Sequence, residues 1–161
     1  MIELQQIPHQ FAFLDDALNI LEQLKENESV CTKIWSVYEI CLHCAQTIDY
    51  SMTGYPEMKP KLIRQTIGKK VVKKFLSDKK MSHNLQAPVA GGAPIAYDGL
   101  PIVGIQALID AIHRFQAWDG ELQEHGVFGA LSKEEYATYF ALHITDHFQE
   151  IKADSTQFVK I

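Results

Sequence analysis

Three cysteines, Cys31, Cys41 and Cys44, are all that this chain of 161 residues contains. So small and odd a number excludes the multiply bridged scaffold of small secreted domains. "CLHC" is formally C-x-x-C, yet no second pair completes a four-thiolate zinc site. Small buried helix thiols are the reading that remains. Long apolar runs are missing too, and no stretch approaches the roughly 18 residues of a membrane span. Positive charge is not in excess: 15 Lys and Arg stand against 20 Asp and Glu, a net charge of -5. That balance excludes a general nucleic-acid binder, whose affinity comes from neutralising phosphates. There is no P-loop, and no G-x-G-x-x-G after a strand, to mark a nucleotide site. The opening "MIELQQIPHQ" lacks the basic start and apolar core of a signal peptide. The expectation is a cytoplasmic protein with no membrane and no nucleic-acid partner.

What the chain has is helical periodicity. Its 47% apolar and 22% charged residues suit one globular domain spanning 1–161. Phe13, Leu14, Ala17, Leu18, Leu21 and Leu24 recur at helical spacing and predict a helix from about Gln10 to Glu26. "SVYE" is a capping-box pattern, Ser36 with Glu39, and predicts a helix that stops near Gly54. Residues Pro60 to Asp78 predict one or two shorter helices, with lysines on one side and Val71, Val72, Phe75 and Leu76 on the other. Ser82 to Pro101 has no periodicity and reads as a long connection, either a pocket cover or a surface crossover. Ile105, Leu108, Ile109, Ile112 and Phe115 stripe a helix from about Ile102 to Trp118. A second capping box, Ser132 with Glu135, opens a last helix expected to reach Lys152, followed by a short tail that packs as an extended segment or stays loose. Four long helices with almost no strand signal predict an all-α four-helix bundle with a long crossover loop and short extra helices.

The last helix carries "FALHITDHFQEI". His143 and His147 are four residues apart, so they share a face and can reach one metal ion. His43 lies among Ile40, Leu42, Cys44, Ala45 and Ile48 of the second helix, where a buried imidazole needs a partner. Three histidines from two packed helices would satisfy one another through a metal. Three nitrogens plus water is a normal open coordination for catalytic zinc, and nickel or iron also suits it. Near His43 on the helical wheel lie Glu39, Gln46, Thr47 and Tyr50; Tyr136, Tyr139 and Glu150 flank His143 and His147. Glu39 and Tyr139 are the candidate catalytic groups, able to hold a water or move a proton. Asp146 points about 100° from His147 and ranks lower. His9 and His83 fall in expected surface segments, His113 lies beside Arg114, and His125 is expected in a turn at the bundle end or near a cavity mouth.

"WSVYEICLHCAQTIDYSMTGYP" resembles the second-helix motif of the DinB-like (YfiT-like) superfamily, W-[ST]-x-x-x-x-x-x-H. "HGVFGALSKEEYATYFALHITDHF" resembles its closing motif, H-P-x-F-G-x-L-[ST] followed by H-x-x-H-H on a helix. "IDYSMTGYP" and "TIGKK" are similar to stretches of an uncharacterised, domain-of-unknown-function branch of that superfamily. The resemblance covers roughly Trp35 to Phe148. It implies a four-helix bundle, often a homodimer, with zinc or nickel on three histidines, here His43, His143 and His147. Relatives of that kind include thiol-dependent transferases, a maleylpyruvate isomerase and hydrolase-like members. The chain departs from the pattern at Asp146, which replaces the middle histidine, and at Gly126, which replaces the proline.

The expected function is that of a divalent-metal enzyme acting on a small-molecule substrate, as a transferase using a low-molecular-weight thiol or as a hydrolase. The alternative is a non-catalytic bundle in which the ion only stabilises the fold or an interaction surface.

Overall fold

Both capping boxes form. Ser36 Oγ accepts the Glu39 N–H at 3.1 Å, and Glu39 Oε1 accepts the Ser36 N–H at 3.0 Å. Ser132 and Glu135 repeat the exchange at 3.1 and 2.9 Å. Each box satisfies backbone donors that the first turn of a helix leaves open. The computed structural model describes residues 5–6, 13–26, 29–31 and 34–153. Its helices are α1 (Leu14–Lys25), α2 (Val37–Thr53), α3 (Lys61–Gln65), α4 (Ile67–Asp78), α5 (Pro101–Ala117) and α6 (Lys133–Phe148). Three short strands, β1 (Gln5–Gln6), β2 (Ser29–Cys31) and β3 (Ile151–Ala153), complete the described elements. The fold is helical. Residues 10–12 of the expected first helix, His9 and the tail after Ala153 lie outside the described residues.

Helices α1, α2, α5 and α6 close a ring. α5 packs on both α1 and α2, and α6 packs on the same two. α1 and α2 therefore stand across one diagonal and α5 and α6 across the other, while α2 and α5 lie side by side. The ring encloses the core. Leu21, Leu24, Ile48, Leu108, Phe115 and Phe140 are each at most 1% exposed, and Phe115 meets Phe140 edge-on at 5.1 Å across the diagonal. Burying one such side chain is worth about 1.5–3 kcal/mol. The contact between α2 and α5 is close because Gly104 has no side chain: a Cβ there would stand 3.0 Å from Tyr38 Cα and 3.1 Å from its carbonyl oxygen.

Three expectations are corrected. The last helix ends at Phe148, and Ile151–Ala153 runs as the central strand of an antiparallel sheet ordered β1–β3–β2, with Gln5 opposite Ala153 and Val30 opposite Lys152. Cys31 belongs to β2 rather than to a helix. On α4, Val72 is buried but Val71 is 38% exposed, because the helix is covered along one narrow stripe. Cys41 and Cys44 are buried free thiols on α2, and burial pushes both thiols up, away from thiolate character.

Candidate metal centre

Four histidines converge inside the ring. α2 supplies His43 from its buried face, and α6 supplies His143 and His147, one turn apart. The fourth, His83, comes from the irregular connection after α4. One ring nitrogen from each lies within 4.8 Å of all the others. His43 Nε2 is 3.2 Å from His143 Nε2, and His83 Nε2 is 3.1 Å from His147 Nε2. Two nitrogens of a tetrahedral zinc site at normal bond lengths stand about 3.3 Å apart. Trp35 closes one side, stacked on the His147 ring at 5.8 Å and tilted against His43 at 5.1 Å.

Placing His83 in the cluster corrects its reading as a surface residue, and Asp146 is the cause. Asp146 Oδ2 accepts the His83 backbone N–H at 3.0 Å and lies 2.6 Å from His83 Nδ1. A carboxylate only accepts, so the His83 proton sits on Nδ1 and Nε2 turns a lone pair toward the cluster. Asp146, ranked low because it points away from His147 along α6, reaches the loop instead. Gln149 Nε2 donates to its other oxygen at 2.8 Å.

The cluster favours neutral imidazoles. Burial, then the neighbouring His83, lowers the pKa of His43 to about 4. Burial and the surrounding histidines push His143 and His147 down as well. Neutral imidazole is the form that binds metal. Without a cation, lone pairs about 3 Å apart repel. The Nδ1 atoms of His43 and His147 are buried with no hydrogen-bond partner among the described residues. The donor set, its spacing and its neutrality fit a metal ion. It is the one group of three or more His, Cys, Asp or Glu able to hold an ion among the described residues.

Beside His43 opens a cavity of about 530 Å³, lined on the α2 side by Trp35, Glu39 and Gln46 and on the loop side by Gln86 and residues 88–95. The long connection is therefore a pocket cover as well as a crossover. It is pinned at Ala93, whose carbonyl accepts from Gln46 Nε2 at 2.8 Å and whose N–H donates to Tyr50 Oη at 3.3 Å. Gln86 Nε2 donates to Glu150 Oε1 at 3.1 Å.

The other singled-out residues take varied places. Glu39 lines the cavity while one carboxylate oxygen caps α2. Thr47 Oγ1 donates to the His43 carbonyl at 3.1 Å. The Tyr136 hydroxyl donates to the Gln123 carbonyl at 2.7 Å, away from the cluster. Tyr139 has its ring 5.7 Å from that of His143 and its hydroxyl 3.3 Å from His125 Nε2. His125 Nδ1 accepts from the N–H groups of Val127 and Phe128 at 3.0 and 3.2 Å, so its proton is on Nε2 and is directed at Tyr139. Burial, then Lys69, lowers the pKa of His125 to about 3. His113 is exposed on α5. Gly126 stands where the resembled motif has proline. A Cβ there would lie 2.6 Å from the Glu57 carbonyl oxygen, so this turn packs too closely on the segment after α2 for any side chain.

The model of a family described as proteins of unknown function, DUF1569, matches residues 3–154. The chain belongs to DUF1569. No curated protein and no solved structure matches it. The DUF1569 match spans all four histidines, Asp146 and the cavity wall, so the whole candidate centre lies within the family domain. No described helix is long and apolar enough to cross a membrane.

Proposed function

We propose that this DUF1569 protein is a divalent-metal-dependent enzyme acting on a small molecule held in the cavity beside His43. The observation that carries this reading is the position of His43: its ring belongs both to the four-histidine cluster and to the wall of the cavity. A ligand in that cavity would lie beside a histidine of the cluster. The helix-borne triad His43, His143 and His147 would hold the ion, zinc or nickel by its all-imidazole donor set.

When bound, such an ion lowers the pKa of a coordinated water or thiol and so supplies a nucleophile at neutral pH. The protein's own groups do the rest. Glu39, on the cavity wall, accepts a proton from the nucleophile or returns one to a leaving group. Gln46 and Gln86 offer amide groups that orient a polar substrate, and Trp35, Val89 and Ile95 exclude water from its apolar part. Tyr139, held by His125, fixes the His143 ring from behind. Hydrolysis and transfer from a low-molecular-weight thiol are the two reactions this arrangement serves. The ring of four long helices, read as a four-helix bundle, supports kinship with the DinB-like superfamily, and with it a cytoplasmic homodimer.

One observation favours a second reading. Four imidazoles can close a tetrahedral shell, as structural sites do. Chelation separates the two. In a structural site the binding energy is folding energy, so removing the ion unfolds the protein. In a catalytic site the bundle stays folded and loses turnover of ester or thiol-transfer test substrates.

A further inference from the structure

The triad leaves the fourth histidine without a task. His83 differs from the other three in each respect that bears on ligand exchange. They sit on helices, and their residues are at most 4% exposed. His83 sits on an irregular connection, and its side chain is 21% exposed. Its backbone and ring are both held by one carboxylate oxygen, that of Asp146. A carboxylate behind an imidazole fixes the tautomer and orientation of a metal ligand and raises its basicity. Neither His43 nor His147 has a partner behind its ring, since their Nδ1 atoms are unpaired among the described residues.

The chain that carries His83 goes on to form the cavity wall. Gln86 follows three residues later, then residues 88–95. Beyond the His83 contacts, Gln46 and Tyr50 of α2 hold the wall at Ala93, and Gln86 is tied to Glu150 in the turn after α6. The cavity beside His43 is thus walled by the same segment that delivers the fourth imidazole.

We propose that His83 is an exchangeable fourth metal ligand, positioned by Asp146, which gives way when a small molecule bearing an anionic donor atom enters the cavity beside His43. This rests on the metal reading above and adds how the site opens. His83 closes the shell when the cavity is empty, and withdraws with the loop when a ligand brings its own donor. The lining selects the class of ligand: a donor atom at the His43 end, amide-compatible polar groups facing Gln46 and Gln86, and an apolar body against Trp35, Val89 and Ile95.

The test uses the full chain loaded with cobalt(II), whose visible absorption reports coordination number and donor set, with azide as the anionic probe. Wild type, His83→Ala and Asp146→Asn are compared, each checked by circular dichroism for an unchanged helical fold. Wild type is expected to bind cobalt, and azide to change its spectrum at saturating concentration. His83→Ala is expected to show a different starting spectrum and to bind azide at least about tenfold more tightly, because no imidazole competes. Asp146→Asn is expected to lower cobalt affinity about 10–100-fold and to shift the spectrum toward that of His83→Ala. Identical cobalt spectra and azide affinities in wild type and His83→Ala overturn the assignment, since His83 is then no ligand. A wild-type spectrum indifferent to azide, beside a responsive His83→Ala, also overturns it, since the ligand is then fixed. Failure of wild type to bind cobalt at all instead sinks the metal site itself, and the two failures are thereby told apart.

Discussion

His43 Nε2 lies 3.2 Å from His143 Nε2, although 100 residues separate the two in the chain. Two helices that are neighbours in the ring bring them together, each opened by its own capping box. The local signals that start the helices thus also set the height at which the imidazoles meet.

Ser36→Ala removes the oxygen that caps Glu39 N–H. Loss of such a cap costs about 0.5–2 kcal/mol, read as a lower urea midpoint. The backbone N–H at position 36 that Glu39 accepts survives in alanine, so Glu39 keeps its place, and activity at a temperature where both proteins are folded is expected to match wild type. A urea midpoint equal to wild type would show that the Ser36 cap contributes nothing to the stability of α2.

Metal-free protein should weaken as pH falls. Unfolded histidine takes up its proton near pH 6.5, whereas native His43 stays neutral down to about 4 and His125 down to about 3. Between those values the unfolded state binds more protons, and stability drops with decreasing pH. The slope is at most about 1.4 kcal/mol per pH unit for each such histidine. Urea unfolding at pH 7.5, 6 and 5 checks this; a midpoint independent of pH would contradict the buried neutral cluster.

Gly104→Ala places a methyl group 3.0 Å from the Tyr38 backbone. Since that contact is backbone rather than a side-chain tip, α2 and α5 must separate. A loss of about 1–3 kcal/mol is expected, the ordinary cost of overpacking. Thermal unfolding measures it, and an unchanged melting temperature would show that the helices separate freely.

Gln46→Ala removes the hydrogen bond to the Ala93 carbonyl. Global stability should fall by only about 0.5–1.5 kcal/mol, while amide hydrogen exchange in residues 88–95 speeds up. Unchanged exchange there would mean that the wall is held by other contacts.

The helices and three of the four histidines were legible because both rest on local periodicity. The 3.6-residue repeat places Ile105, Leu108, Ile112 and Phe115 on one face, and the i, i+4 spacing does the same for His143 and His147. His83 was missed because its position comes from a tertiary contact on a segment without period. A signal did exist: Asp146 sits between Ile144 and Phe148 on the buried half of α6, in place of a histidine of the resembled motif, and a nearly buried carboxylate needs a donor. The strands were missed for a related reason. Ile151–Ala153 is a strand only because Gln5–Gln6 and Ser29–Cys31, far away in sequence, supply its hydrogen-bond partners.

The central claim is that the histidine cluster holds a functional ion, and metal content tests it most directly. Untagged protein, wild type and His143→Ala, is purified alike, incubated with zinc or nickel, desalted and analysed by inductively coupled plasma mass spectrometry. The account predicts about one ion per wild-type chain, the capacity of one four-ligand cluster, and little or none in a folded His143→Ala. A wild type that retains no ion after incubation, or a His143→Ala that retains as much as wild type, would contradict it.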